Sequence, residues 1–350
     1  MNIVAIIPAR SKSKGIKNKN IRTFNGKPLL SYSIEQAKSS KLINRVIVST
    51  DSIEYANIAR KYGAEVPFLR PSEISGDTSL DIEVFLHVAE WLKKNENYEV
   101  DFFVHLRPTH PIRNVEDIEE MIKIIIKDKV ADSIRSVSPS IFTPYKMWFI
   151  GEDSQLDPVI INANIPEAYN EPRQKLPKTY SQNACIDVIR GATITQKKSM
   201  TGDKILGYVM NYDYDIDDEE DFLRAEKEHF IRTIEKTKKK LKLVFDIDGI
   251  IAEKTPHNNY ELATPITENI EVINKLHKMG HTIVLFTARG YVTGIDWGEV
   301  TREQMNRWQV KYDELFFGKP DADFYIDDKF IDMSILRKHT INTNNNNLLI

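Results

Sequence analysis

A single cysteine, Cys185, occurs in 350 residues, so no internal disulfide can form and no thiolate cluster can hold zinc. It sits in the apolar-leaning run Ala184-Cys185-Ile186, where a packed, inert thiol is expected rather than a nucleophile. No apolar run has the length of a membrane span. The cations from Arg10 onward follow the first apolar stretch instead of preceding it, the reverse of a secretory leader. A cytoplasmic location and no membrane partner are therefore expected. Charge of one sign is missing too: 48 Lys and Arg stand against 51 Asp and Glu, a formal net of −3, which gives no general reason to expect nucleic acid as a partner. Glycine is sparse, at 14 residues, and the G-x-x-x-x-G-K-[ST] phosphate loop is absent. Any phosphate site must draw its positive charge from side chains.

What is present describes an ordinary globular chain, 41% hydrophobic and 28% charged, long enough for two domains with separate cores. Apolar, β-rich runs alternate with amphipathic ones: strands 45–49 and 102–106, helices near 54–62 and 115–127. That alternation predicts a doubly wound, mostly parallel α/β sheet. From Phe142 to Tyr180 the pattern loosens into Pro, Asn, Asp and Tyr-rich sequence, expected to be loops and short strands forming a lid or an oligomer contact. Strands at 186–189 and 205–210 and a helix after Asp217 complete a first domain, 1–232. The basic stretch 233–241 is expected to be a linker. A second α/β domain, 242–338, is predicted from strands at 242–245, 282–286 and 324–326 and helices at 268–279 and 302–311. The Asn-rich tail, 339–350, is expected to fray.

The first strand, Ile3 to Ile7, runs into a loop carrying Arg10, Lys12, Lys14, Lys17 and Lys19. Open α/β sheets bind ligands at the carboxyl ends of their strands, so this charge marks an anion site. Attack on the α-phosphorus of a nucleoside triphosphate needs charge neutralisation and alignment more than covalent help. Arg10, Lys14 and Lys19 could serve the phosphates. Asp215 and Asp217 lie on one face of an extended segment and suit Mg²⁺, although such a pair also fits a helix N-terminus.

In the second half, Leu243-Val244-Phe245-Asp246-Ile247-Asp248-Gly249 puts one carboxylate at a strand end and another in the following turn. The first can attack phosphorus, and the second can protonate the leaving alkoxide and then activate water. Thr287, Lys319 and Asp327-Asp328 each follow an apolar run. They supply a hydroxyl, an ammonium and carboxylates suited to Mg²⁺.

Asp246-Ile247-Asp248, Thr287, Lys319 and Asp327-Asp328 resemble the four motifs of the haloacid-dehalogenase (HAD) superfamily of phosphatases. The resemblance implies Asp246 as nucleophile and Asp248 as acid/base. Thr287 and Lys319 would hold the phosphoryl group, and Mg²⁺ would lie on Asp246, Asp248, Asp327 and Asp328. Ile250 stands where that family has Thr or Val, and the short motif spacing leaves no room for a large cap.

The first half resembles the acylneuraminate cytidylyltransferases, the CMP-sialic acid synthetase family. The resemblance rests on Ile6-Ile7-Pro8-Ala9-Arg10-Ser11, Lys14-Gly15-Ile16, Asn25-Gly26-Lys27-Pro28-Leu29, Val48-Ser49-Thr50-Asp51, Gly63 to Pro71, Pro108-Thr109 with Pro111 and Arg113, Arg173-Gln174 and Asp215-Ile216-Asp217. It implies a nucleotide-diphospho-sugar transferase-like fold with CTP as donor. Arg10 and Lys14 would act on the phosphates, Asn20, Arg70 and Ser79 would surround cytidine, and Asp215 and Asp217 would bind Mg²⁺. Arg107, Thr109, Arg173 and Asn183 are the candidate acceptor-binding residues. Lys12 replaces a glycine of the family's R-S-G-S-K-G loop. Arg107 and His110 depart from L-Q-P-T-S-P-L-R, and Asn183-Ala184-Cys185-Ile186-Asp187 departs from N-G-A-I-Y. Arg107 reads equally as a contact for an unusually anionic acceptor or as the partner of a local carboxylate.

The expectation is a bifunctional, homo-oligomeric enzyme with Mg²⁺ in both domains. It would transfer CMP from CTP to a sugar acid and hydrolyse a sugar phosphate. Two alternatives stand beside it: an acceptor bearing phosphate or phosphonate, and a second domain that serves assembly without catalysis.

Overall fold

The computed structural model describes residues 1–11, 13, 15–162, 164–237, 240–256, 259–320 and 333. It divides into two compact units, Met1–His229 and Phe230–Ile350.

The first unit runs β1 (Ile3–Pro8), β2 (Thr23–Phe24), β3 (Lys27–Pro28), α1 (Leu29–Ser39), β4 (Arg45–Ser49), α2 (Ile53–Lys61), α3 (Asp81–Glu96), β5 (Phe102–Leu106), α4 (Val115–Lys127), β6 (Ser133–Pro139), β7 (Trp148–Ile150), β8 (Leu156–Pro158), β9 (Tyr180–Arg190), α5 (Gly191–Thr195), β10 (Ile205–Val209) and α6 (Glu219–Thr237). The last of these crosses the boundary between the units. Six strands form the main sheet in the order β10-β6-β9-β5-β1-β4. All neighbours are parallel except β9, which is antiparallel to both β5 and β6.

Strand periodicity explains why β1 is apolar throughout. Successive side chains point to opposite faces. Ile3, Ala5 and Ile7 pack with Ile34 of α1, Ala56 of α2 and Ile122 of α4, while Val4 and Ile6 pack with Phe85, Val88 and Leu92 of α3. A sheet covered on both faces cannot alternate apolar with polar. The helix boundaries follow local chemistry. Ser52 caps α2 by accepting from the Tyr55 amide at 3.4 Å, Arg60 and Lys61 occupy its last turn, and Gly63, at φ 87°, ends it.

The chain winds from β1 to β4 on one side and returns through α3 to β5 on the other, so the winding reverses between β1 and β5. This is the crevice in which open sheets bind ligands. A further core of Ile16, Phe24, Leu29, Tyr32, Ile112, Tyr214, Ile216 and Phe222 ties the far end of the opening loop to the segment before α6.

In the second unit, β11 (Lys242–Phe245), α7 (Thr267–Lys278), β12 (Thr282–Thr287), α8 (Gly298–Arg307) and β13 (Glu314–Phe317) give a parallel sheet in the order β11-β12-β13. Two expectations need correction. The predicted helix 302–311 begins earlier, at Gly298, and the run Glu314–Phe317 forms a strand that the sequence reading passed over. With one half-exposed and three partly buried positions, it lacked the continuous apolar signal of a central strand. Residues 233–237 continue α6, the helix in which the division between the two units falls. The expected strand at 324–326 and the Asn-rich tail lie outside the described residues. Among the described residues, no helix is long and apolar enough to cross a membrane.

Candidate functional site

A cavity of about 410 Å³ opens at the carboxyl ends of β1 and β5, lined by Pro8, Arg10 and Ser13, by Gly15, Lys19 and Asn20, by Arg70, Gly76, Asp77, Ser79, Asp81 and Val84, by Arg107-Pro108-Thr109 and by Asp217. It gathers residues from five separate stretches of sequence. Eight of the expected residues share it: Arg10, Lys19, Asn20, Arg70, Ser79, Arg107, Thr109 and Asp217. Lys14, and the departure at Lys12, lie outside the described residues.

Arg10, Asn20 and Arg70 of the lining, and Ser11 next to Arg10 in sequence, are held by specific partners. Arg10 Nη1 donates to the Gly76 carbonyl at 3.0 Å and to Asp77 at 2.8 Å. Asn20 is buried and donates to the Arg10 carbonyl at 3.0 Å. Ser11 is pinned by Asp51, which accepts from its amide and its hydroxyl, both at 2.8 Å. Arg70, buried, donates to the Ser49 side chain and carbonyl. Desolvation pushes its guanidinium down to about 10, so it stays cationic at neutral pH. A second cavity, about 450 Å³, shares Ser13, Arg70, Gly76 and Asp77 with the first and adds Asp51, Ser72 and Ser75.

The opening loop and the 215–217 segment are docked together. Lys19 Nζ donates to the Ile216 carbonyl at 2.6 Å, and a Cβ on Gly15 would lie 2.4 Å from the Asp217 carbonyl oxygen. Glycine at 15 is required by this close approach, not by its φ. Asp217 has its pKa raised, first by burial and then by the neighbouring Asp215 carboxylate. Two carboxylates that disfavour each other's charge fit a divalent cation, which prefers oxygen ligands and would offset the repulsion. Only Asp217 of the two lines the cavity.

Three expected acceptor contacts need revision. Arg107 donates to Asp81 at 3.0 Å, to Asp187 at 3.2 Å and to the Ala184 carbonyl at 3.2 Å. Its charge is already matched, and of the two readings of Arg107 the local ion pair is the one observed. Asn183 is buried within the sheet, accepting from Ser136 at 2.6 Å and donating to Ser138 at 2.9 Å, and it does not reach the cavity. Arg173 donates to the Ser140 and Ile141 carbonyls at 3.0 and 2.6 Å and also lies apart from it.

The departures around positions 107–110 and 184–187 are mutually compensating. Asp187, 1% exposed, carries both Arg107 and Arg135, the latter at 2.7 Å. Both sit beside His105, which is buried and, among the described residues, has no hydrogen-bond partner at either ring nitrogen. Burial, then the Arg107, Arg135 and Arg113 guanidinium groups, keep His105 neutral, its pKa well below the usual range. His110 lies 3.2 Å from Asp213. Burial pushes its pKa down, but Cys185 and Asp213 outweigh that and raise it to about 9. Cys185 is buried as expected. Ala184 takes φ 53°, a left-handed conformation that glycine accepts without strain.

The second unit brings its predicted residues together at three parallel strand ends. Asp246 follows β11, Thr287 closes β12, and Lys319 follows β13. Lys319 N donates to the Thr287 carbonyl at 3.1 Å, and its ammonium pairs with Asp246. Asp327 and Asp328 lie outside the described residues. Arg289, which the sequence reading missed, grips Asp248 in a bidentate pair at 2.7 and 2.9 Å. It is buried and further held by Gln304 at 2.6 Å and Thr301 at 3.2 Å. An arginine two residues past a motif threonine carries no signal of its own. Only the strand register places it opposite Asp248. Ile250 packs partly buried against this unit's core.

Comparison with known proteins adds to this geometry. Residues 4–147 match the family model described as Cytidylyltransferase. Post-translational flagellin modification protein B of Campylobacter coli is 32% identical over 225 residues, covering 63% of this chain and 92% of that protein. The chain belongs to the cytidylyltransferase family. A CMP-N,N'-diacetyllegionaminic acid synthase of Campylobacter jejuni is 33% identical over 224 residues, again 63% of this chain and 92% of that one. An N-acylneuraminate cytidylyltransferase of Escherichia coli is 34% identical over 274 residues, 76% of this chain and 59% of that one. The β1–β5 cavity is thus the candidate site of a cytidylyltransferase, and the model match at 4–147 covers most of its lining.

Proposed function

We propose that the first unit transfers CMP from CTP to a hydroxyl of a nonulosonic-type sugar acid. The acceptor oxygen forms a bond to the α-phosphorus, the bond to the β-phosphate oxygen breaks, pyrophosphate leaves, and the hydroxyl proton passes to solvent. The observation that carries this reading is the convergence of Arg10, Lys19, Asn20, Arg70, Ser79 and Asp217 on one cavity in a chain of this family. Arg10 and Lys19 would neutralise phosphate oxygens, with Lys14 as a further candidate, and Arg70 is a buried cation at the same wall. Asp215 and Asp217 would hold Mg²⁺, which when bound supplies charge neutralisation at the triphosphate. The names of the relatives, for acylneuraminate and legionaminic acid, point to the acceptor class. Arg107, already matched by two carboxylates, no longer favours a phosphorylated or phosphonate acceptor. The test is pyrophosphate release from CTP and Mg²⁺ with a panel of sugar acids. Turnover that depends on one such acid is expected, and no release with any of them would overturn the reading.

For the second unit we infer Mg²⁺-dependent hydrolysis of a phosphate monoester. The support is the meeting of Asp246, Thr287 and Lys319 at adjacent strand ends. An Asp246 oxygen would bond to phosphorus while the ester oxygen leaves with a proton, and water would then cleave the phosphoaspartate. Asp246 and Asp248 would hold the metal, with Asp327 and Asp328 as further ligands. Asp248 can donate or accept that proton only by sharing or leaving the Arg289 pair. If the second unit serves assembly alone, deleting it dissociates the protein and wild-type chain hydrolyses no ester.

The expected homo-oligomer has a candidate surface within the first unit. Ile141, Phe142, Phe149, Ile150 and Ile161 are 64–87% exposed on and around the β7–β8 hairpin, more apolar surface than a monomer readily leaves in water. A second copy of this chain would cover it, and Phe149→Asp with Ile150→Asp should lower the mass found by sedimentation. An unchanged mass would exclude this surface.

A further inference from the structure

Asp81 is a carboxylate in the cavity wall on the side formed by 70–84 and 107–109, where the other, Asp77, is paired with Arg10, and neither motif nor relative assigns Asp81 a role. It is the first residue of α3. Its side chain is 41% exposed, and its Oδ2 is held from below by Arg107 Nη2 at 3.0 Å. Arg107 is in turn fixed to the buried Asp187. Among the described residues, no group donates a hydrogen bond to Oδ1. The carboxylate is therefore braced, charged and turned in part to the cavity.

Phosphates would be repelled by such a group, and the cavity's cations Arg10 and Lys19 come from the opening loop instead. A carboxylate can only accept hydrogen bonds. At the position where they differ, cytosine presents an amino group that donates, whereas uracil presents an oxygen that accepts. Pairing with an acidic side chain is thus favourable for one base and repulsive for the other, and a site discriminates best when the wrong ligand leaves charges unpaired.

We propose that Asp81 accepts a hydrogen bond from the exocyclic amine of cytosine and so selects CTP over UTP, with Arg107 as the residue that positions it. The inference rests on the cytidylyltransferase reading and deepens it. It also gives the Arg107–Asp187 pair a purpose: a cation placed under the wall to hold an acid at its surface.

The test is calorimetric binding of CTP, UTP and 2′-deoxy-CTP to the full chain with Mg²⁺ and no acceptor. Wild type should prefer CTP. Asp81→Asn, whose carboxamide can turn its NH₂ toward uracil, should lower the CTP-to-UTP affinity ratio at least tenfold, partly by a gain for UTP. Arg107→Gln should lower the ratio less, and Arg107→Lys should restore most of it. These two variants leave Asp81 in place, so the result does not depend on one substitution folding. A purely structural role for Asp81 as a helix-start acid would weaken both nucleotides equally and leave the ratio unchanged, overturning the inference alone. Loss of discrimination against 2′-deoxy-CTP at a constant CTP-to-UTP ratio would place Asp81 on the ribose and also overturn it. If wild-type chain binds neither CTP nor UTP, the cytidylyltransferase reading itself fails and this inference with it.

Discussion

The two candidate sites handle charge in opposite ways. In the first unit, Arg10, Lys19 and Arg70 line an open cavity and are tied mainly to neutral carbonyls and a hydroxyl, with only Arg10 touching a carboxylate. In the second, each catalytic candidate is already matched, Asp246 by Lys319 and Asp248 by Arg289. Cations held mainly by neutral groups can still take up a polyanion. A set of closed ion pairs must exchange partners before it can work, and removing one member leaves the other charge exposed in a partly dry site.

Exchanging activities between the sites is the strongest way to break this contrast. Asp246→Asn should abolish ester hydrolysis, at least a thousandfold by phosphate release, because it removes the attacking oxygen, and should leave CMP transfer within about twofold. Arg10→Ala should do the reverse, cutting transfer about a hundredfold by pyrophosphate release, in the range of a lost charge-stabilising donor. If either variant disables both reactions, the sites are not separate.

Next in size is Gly15→Ala. The methyl group would have to displace the Asp217 carbonyl, parting the phosphate end of the site from its carboxylates. A loss of about tenfold or more in kcat/KM for CTP is expected, with hydrolysis untouched. Steady-state kinetics on both reactions would show it.

A smaller effect concerns pH. His110 has its pKa raised to about 9, against about 6.5 in an unfolded chain. A raised pKa means that the folded state holds the proton more tightly. The stabilisation is thus complete below about pH 6.5 and is lost as pH rises through about 9. Calorimetry of the first unit's transition in the full chain should show a fall in stability as pH rises from 7 to 10, reduced in His110→Gln. The second unit's transition should not follow it.

The least effect is expected from Ala184→Gly. Relief of a left-handed alanine, ~1 kcal/mol, should raise the first unit's melting temperature by about 2–4 °C.

Legibility in the sequence followed the physics of each element. Strand β1 could be read because burial on both faces leaves a continuous apolar run, and α4 because its apolar residues recur at helical spacing. β13 could not, since a short strand with one exposed and three partly buried positions carries neither signal. At the sites, cations after a strand were readable because ligand position in such sheets is a topological rule. Arg107 was identified as unusual, but whether it met a ligand or a carboxylate depended on Asp187, 80 residues away, whose partner is set by the β5–β9 register. Arg289 and Asp81 were missed for the same reason: nothing local distinguishes them until pairing puts one beside Asp248 and the other above Arg107.

The contact between Lys19 and Ile216 joins residues 197 positions apart. A chain emerging from the ribosome could pair β1 with β4 and β5 long before Asp217 exists. The opening loop would then lack the surface against which it is held, and the proposed nucleotide site would be unformed. Nucleotide affinity should thus arise late and abruptly during synthesis, making CTP binding by nascent chains of increasing length a gauge of when the first unit is finished.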